Sequence, residues 1–155
     1  MNPIMYWFLC CKTSAALKSL NGLKVVILEL ADQVTGRTRA GEYAGKTVAL
    51  SLKNVSFAYL SRMKTLPEHT DLAANIYRAA VDLLERHWPE GWPVRTVEVA
   101  LAELVLKPTE QHTLFREKEK LGRAGRTCDY IRNRFGGKAI FRASSFTGVG
   151  VRYAG

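Results

Sequence analysis

The sequence predicts a mixed α/β (α+β) domain, a split β-α-β sandwich with a four-stranded sheet and two helices on one face, followed by a basic tail. Three observations carry this. Leu23, Ile27, Leu30 and Val34 recur at helical spacing; polar and apolar residues alternate from Lys46 to Lys53; and a second helical stripe, Leu72, Ile76, Ala80, Leu83 and Leu84, leads into an alternating run from Val94. The order is αββαβ, one leading strand short of the full sandwich.

Each element has its own local reason. The first helix ends at Arg39-Ala40-Gly41, basic residues before a glycine, and is weakened at Gly36. In the first clear strand Val48, Leu50 and Leu52 share one face, and Thr47, Ser51 and Lys53 share the other. Asn54 turns the chain into a second strand, read with Phe57, Tyr59 and Met63 on the core face and Ser56, Arg62 and Lys64 on the open one. Pro67 ends that strand, and Thr70-Asp71 offers an N-cap to the second helix, which runs to about His87. Trp88 to Pro93 is rich in chain breakers, and Val94 to Leu106 reads as a strand with Val97, Val99 and Leu101 inward. The candidate for the missing first strand is Met5–Cys11, although residues 12–22 carry no hairpin or crossover signal. Beyond Pro108 come a polar linker, a basic helix from Arg116, a stop at Gly136-Gly137 and a short strand at 139–143. The domains expected are a divergent N-terminal segment over 1–21, a folded domain over 22–106 and a basic tail over 107–155.

The 155 residues carry a formal charge of +9, and 47% are hydrophobic, which suits one packed domain with a preference for anionic partners. The charge is uneven: residues 107–155 hold 11 basic and 4 acidic side chains. That asymmetry suits contact with nucleic acid, or merely a solvated tail. No apolar run approaches the roughly 20 residues that span a bilayer, so no membrane partner is expected. Cys10, Cys11 and Cys128 make no C-x-x-C pair, and the N-terminus lacks a basic signal-peptide start, so a cytoplasmic location is expected.

Catalytic signals are missing. His69, His87 and His112 are scattered, no phosphate-binding glycine loop occurs, and Glu29, Asp32, Asp71, Asp82 and Glu85 fall singly on or beside helices as solvated carboxylates. No catalytic residue, metal site or cofactor is expected of this chain alone.

Five strings then share one resemblance: Arg62-Met-Lys-Thr-Leu-Pro67, Asn75-Ile-Tyr-Arg-Ala-Ala80, Trp92-Pro-Val-Arg-Thr-Val97, Gln111-His-Thr-Leu-Phe115 and Ile131-Arg-Asn-Arg-Phe-Gly136. In order and spacing, residues 22–143 resemble the C-terminal part of a bacterial Y-family (UmuC-like) translesion DNA polymerase, its little-finger domain and tail. The resemblance implies a module of DNA repair and the SOS response that lies across the major groove of duplex or primer-template DNA and grips its backbones. Separate domains do the chemistry, with magnesium held in a palm that this chain lacks. It also implies DNA contacts at Ser61, Arg62, Lys64 and Thr65 on one strand and Arg95 on the last; strand phase adds Lys53 and Thr96 on the open face. Glu98 shares that face and should repel phosphate. Residues 1–21 do not match the family's first strand, and the preceding polymerase domains are missing, which suggests a remnant gene product or a catalytic part encoded elsewhere.

Gln111, Leu114 and Phe115 look like the short peptide by which bacterial polymerases dock on the sliding clamp, with two apolar side chains for a pocket and an amide for its rim. In the following helix Leu121, Cys128, Ile131 and Phe135 form a stripe expected to pack on the core, and Gly122 and Gly125 each cost it about 1 kcal/mol against alanine, so that it orders only against a partner. Two alternatives stand beside the polymerase-derived DNA-binding module. One is an accessory fragment that completes a polymerase with a separate palm chain. The other is an unrelated RNA- or protein-interaction module, which should show aromatic residues on its open sheet face.

Overall fold

A computed structural model describes residues 7–107, 116–137, 139–140 and 142–143, with side-chain surroundings from Ala16 onward except at Arg116. Its elements run β1 (Trp7–Leu17), α1 (Leu20–Ala40), β2 (Tyr43–Asn54), β3 (Tyr59–Thr70), α2 (Ala73–His87), β4 (Val94–Ala102), β5 (Val105–Leu106) and α3 (Arg116–Phe135). The sheet order is β1-β4-β2-β3, with every pairing antiparallel and the short β5 alongside the start of β2. This is the split β-α-β sandwich expected, with the leading strand in place.

Both helices lie on one face of the sheet. Leu23, Val26, Ile27, Leu30 and Val34 of α1, and Ile76, Ala80 and Leu84 of α2, close over Val48, Leu50 and Leu52 of β2 and Val97, Val99 and Leu101 of β4 in one continuous core. Gly45 lets β2 and β4 approach there: a Cβ on it would lie 2.3 Å from the Leu101 side chain.

Several expectations need correction. The leading strand is longer than Met5–Cys11 and runs through the segment set apart as divergent, pairing Trp7 with Leu101 and Lys12 with Thr96. Helix α1 begins earlier than Leu23, because the Ser19 side chain accepts a hydrogen bond from the Gly22 N–H as N-cap. Strand β3 does not stop at Pro67 but continues to Thr70, since a proline is tolerated on an edge strand. Helix α2 has no side-chain cap. Thr70 instead accepts from the Leu72 N–H and from the Asn75 amide, while Asp71 pairs with Lys107. The Val94–Leu106 run is broken at Glu103 and Leu104, where Glu103 takes a left-handed φ of 55° and releases the chain into β5. No strand forms among the described residues of 139–143.

The largest correction concerns β3. Residues opposite each other in an antiparallel pair point to the same side of the sheet. Leu50 stands opposite Arg62 and Val48 opposite Lys64, so the basic pair is on the helix side; Ala49 faces Met63 and Lys53 faces Tyr59 on the open side. The phase read from the sequence is therefore inverted. Leu60 and Leu66 are the β3 residues packed against the core, whereas Tyr59 and Met63 are 60% and 58% exposed and Phe57, in the turn, is 72% exposed.

The tail helix also differs from expectation. Leu121 and Phe135 are 53% and 70% exposed, so the stripe is not buried. Helix α3 docks on α1 through charge and small residues instead. Arg39 makes a bidentate pair with Asp129 (2.7 and 3.1 Å) and donates to the Asp71 carbonyl. Two of the glycines that weaken the helices sit at this crossing, since a Cβ on Gly36 would come within 3.3 Å of Asp129, and one on Gly125 within 3.2 Å of the Arg39 guanidinium.

Candidate nucleic-acid interface

The sheet face turned away from the helices is built in rows across β4, β2 and β3: Thr96-Lys53-Tyr59, Glu98-Ser51-Ser61, Ala100-Ala49-Met63 and Ala102-Thr47-Thr65. Its middle is low, because nearly every residue of β2 and β4 there is alanine, serine or threonine. Hydroxyls tie it flat. Ser51 and Ser61 share a hydrogen bond of 2.9 Å. Thr47 donates to Glu103 at 2.6 Å, so its contact with Thr65 at 3.1 Å has Thr65 as donor.

Relief and charge grow toward the β2–β3 turn. The Asn54 side chain accepts from the N–H groups of Ser56 and Ala58, and this brace holds Phe57 at a left-handed φ of 64° with its ring outward. The Lys53 ammonium lies 4.9 Å from the centre of that ring, and the Tyr59 hydroxyl reaches Glu98 at 3.4 Å. Glu98 thus sits on the open face as the sequence implies, but has a phenol for company.

The structure gathers some of the expected contact residues and separates others. Lys53, Ser61, Thr65 and Thr96 share the open face. Arg62 and Lys64 stand on the opposite side of edge strand β3, Arg62 exposed and donating to the Ser61 carbonyl at 2.7 Å. Lys64 meets Asp82 of α2 at 2.8 Å. That hydrogen bond, helped by Arg86, holds the Asp82 carboxyl below its usual range against the opposing effect of burial. Arg95 is exposed, one residue out of step with Thr96. Gln111, Leu114 and Phe115 lie outside the described residues. Among the described residues no three histidine, cysteine, aspartate or glutamate side chains cluster as a metal site would require, so the acidic pattern of a magnesium-holding palm does not fit them.

Sequence reasoning missed Phe57, Tyr59 and Met63 as surface residues. The available signal was Leu60 and Leu66, which bracket the basic pair in the other phase.

Residues 10–114 match the model of the impB/mucB/samB family C-terminal domain. The chain belongs to this family. This impB/mucB/samB C-terminal domain is 50% identical over 133 residues to DNA polymerase IV of Moorella thermoacetica, covering 86% of this chain and 33% of that protein. DNA polymerase IV of Pelotomaculum thermopropionicum is also 50% identical, over 131 residues, covering 84% of this chain and 33% of that protein. The chain therefore spans about a third of the length of the curated relatives it matches. Among solved structures, the little finger domain of PolIV in complex with the beta-clamp processivity factor superposes with a TM-score of 0.53 at 14% identity, covering 72% of this chain and 98% of that one. An insertion ternary complex of Dbh DNA polymerase gives 0.51 at 16% identity, over 66% of this chain and 29% of that one. These likenesses are of fold: the Y-family little finger. The family match takes in most of β1, so the first strand belongs to the domain. No helix among the described residues is long and apolar enough to cross a membrane.

Proposed function

We propose that this chain is the DNA-gripping little finger of a lesion-bypass polymerase, acting on duplex or primer-template DNA without reading its sequence. The observation that carries the reading is the flat open face of Ser51, Ser61, Thr47, Thr65 and alanines. Short hydroxyl side chains let phosphates come close and offer them O–H donors, while Lys53 and the edge residue Arg62 add charge; such contacts position DNA and carry no base code. The chemistry then belongs to a separate palm and its magnesium, and this chain contributes grip rather than catalysis.

Docking on a sliding clamp through Gln111, Leu114 and Phe115 is a second part of the proposal, supported by the solved complex in which the little finger domain of PolIV is paired with the beta clamp. Leu114 and Phe115 supply the apolar anchors and Gln111 the rim hydrogen bond.

The test is binding of the 155-residue chain to a fluorescent blunt duplex across a salt series. Affinity should be indifferent to sequence, fall steeply with salt, and drop at least tenfold for Ser61→Glu, which puts a carboxylate on the face beside Ser51. Binding that resists salt, or that Ser61→Glu leaves unchanged, overturns the reading.

A further inference from the structure

The end of the open face nearest the β2–β3 turn differs chemically from the rest. Phe57, Tyr59 and Met63 are all more than half exposed, and they follow one another along the same edge. Single exposed apolar residues are ordinary; three on one side of one strand and its turn need a reason. The turn carries conformational strain for the arrangement, since Phe57 sits at a positive φ that bulky residues avoid and is held there by its own N–H bond to the Asn54 carbonyl and by the Ser56 and Ala58 N–H bonds to the Asn54 side chain. Lys53 links the group, lying opposite Tyr59 in the sheet and over the Phe57 ring.

We infer that Phe57 and Tyr59, with Lys53 between them, form a stacking platform for unpaired bases of single-stranded DNA adjoining the duplex. The inference rests on the duplex-gripping function proposed above and adds a second ligand class to the same face. Duplex DNA offers the sheet only phosphates and groove edges, and small hydroxyl side chains suit those. Unpaired bases offer π-faces, and aromatic rings interleaved with a cation suit these whatever the base. Charge complementarity selects this occupant over an apolar protein surface, because Lys53 would have to be buried against the latter without a counter-ion, whereas a backbone phosphate supplies one. Glu98 does not oppose it: the acid is half-buried and engaged by the Tyr59 hydroxyl.

The experiment compares two probes on the full chain, the blunt duplex and the same duplex with a single-stranded template overhang. Wild type should bind the overhang probe about tenfold tighter. Phe57→Ala with Tyr59→Ala should erase that difference while leaving blunt-duplex affinity within about twofold, because the rings on which unpaired bases stack are gone. Tyr59→Phe, which keeps the ring and drops the Glu98 contact, should retain the preference. Equal affinities for the two probes in the wild type, or equal losses on both in the double variant, overturn the platform. Failure of the duplex reading registers separately, as absence of blunt-duplex binding.

Discussion

Strands β2 and β3 pair directly, yet they divide their residues between the two faces in different ways. β2 is a central strand, and its helix side is wholly covered, so Val48, Leu50 and Leu52 must be aliphatic and the alternation is clean. β3 is an edge strand whose helix side is covered only in part. There Leu60 and Leu66 serve the core, while Arg62 is exposed and Lys64 reaches Asp82 of α2. Apolarity marks the core where coverage is complete; at an edge it also marks a surface kept for something else.

That contrast can be broken by experiment. The largest effect is expected from Leu50→Ala, buried to 4% exposure, which should cost about 2–5 kcal/mol in denaturant unfolding, whereas Met63→Ala, one face away, should stay within about 0.5 kcal/mol. Comparable losses would mean that the faces are misassigned. Next, Asp129→Ala removes the carboxylate that Arg39 grips between α1 and α3. It should loosen α3 by about 1–3 kcal/mol, seen as faster amide hydrogen exchange in α3 with β2 and β4 unchanged. Arg62→Ala should lower the slope of log affinity against log salt by about one on duplex DNA, and Ser61→Ala should leave that slope alone; a slope unmoved by Arg62→Ala would remove the edge from the interface.

The smallest effect is in pH. Lys64 holds the Asp82 carboxyl below its usual value, so the stabilisation is present above the ordinary carboxylate pKa and is lost as pH falls through the lower folded value. Wild type should therefore be slightly more stable than Lys64→Met at pH 6, and the two melting curves should converge below about pH 4.

The sandwich was readable because α1, β2, α2 and β4 each bury one complete face, and burial imposes a period. The leading strand was half readable: its apolar start at Trp7–Cys11 is evident, but its second half, Lys12–Leu17, pairs at a sheet edge past a register irregularity, where sequence alternation is relaxed. The interface was legible by residue type and not by orientation. Ser61 and Thr65 lie where the resemblance implies, while the pairing set by the Asn54 brace turned Arg62 and Lys64 to the other side. A one-residue difference in phase exchanges every side chain between faces, and no short motif carries that information. Gly36 and Gly125 read as weaknesses of single helices because their purpose, room for Asp129 and Arg39, is visible only when the helices cross.

The outer edge of β3 has one more consequence. Within the described residues its far side pairs with no strand, so it offers a row of free backbone groups to any extended chain that approaches. Pro67 withholds one donor, and Arg62, exposed on the same strand, makes a close-packed neighbour costly. The arginine proposed to hold phosphate would thus also keep copies of the domain from annealing edge to edge, and a variant that neutralises it would surrender solubility along with grip.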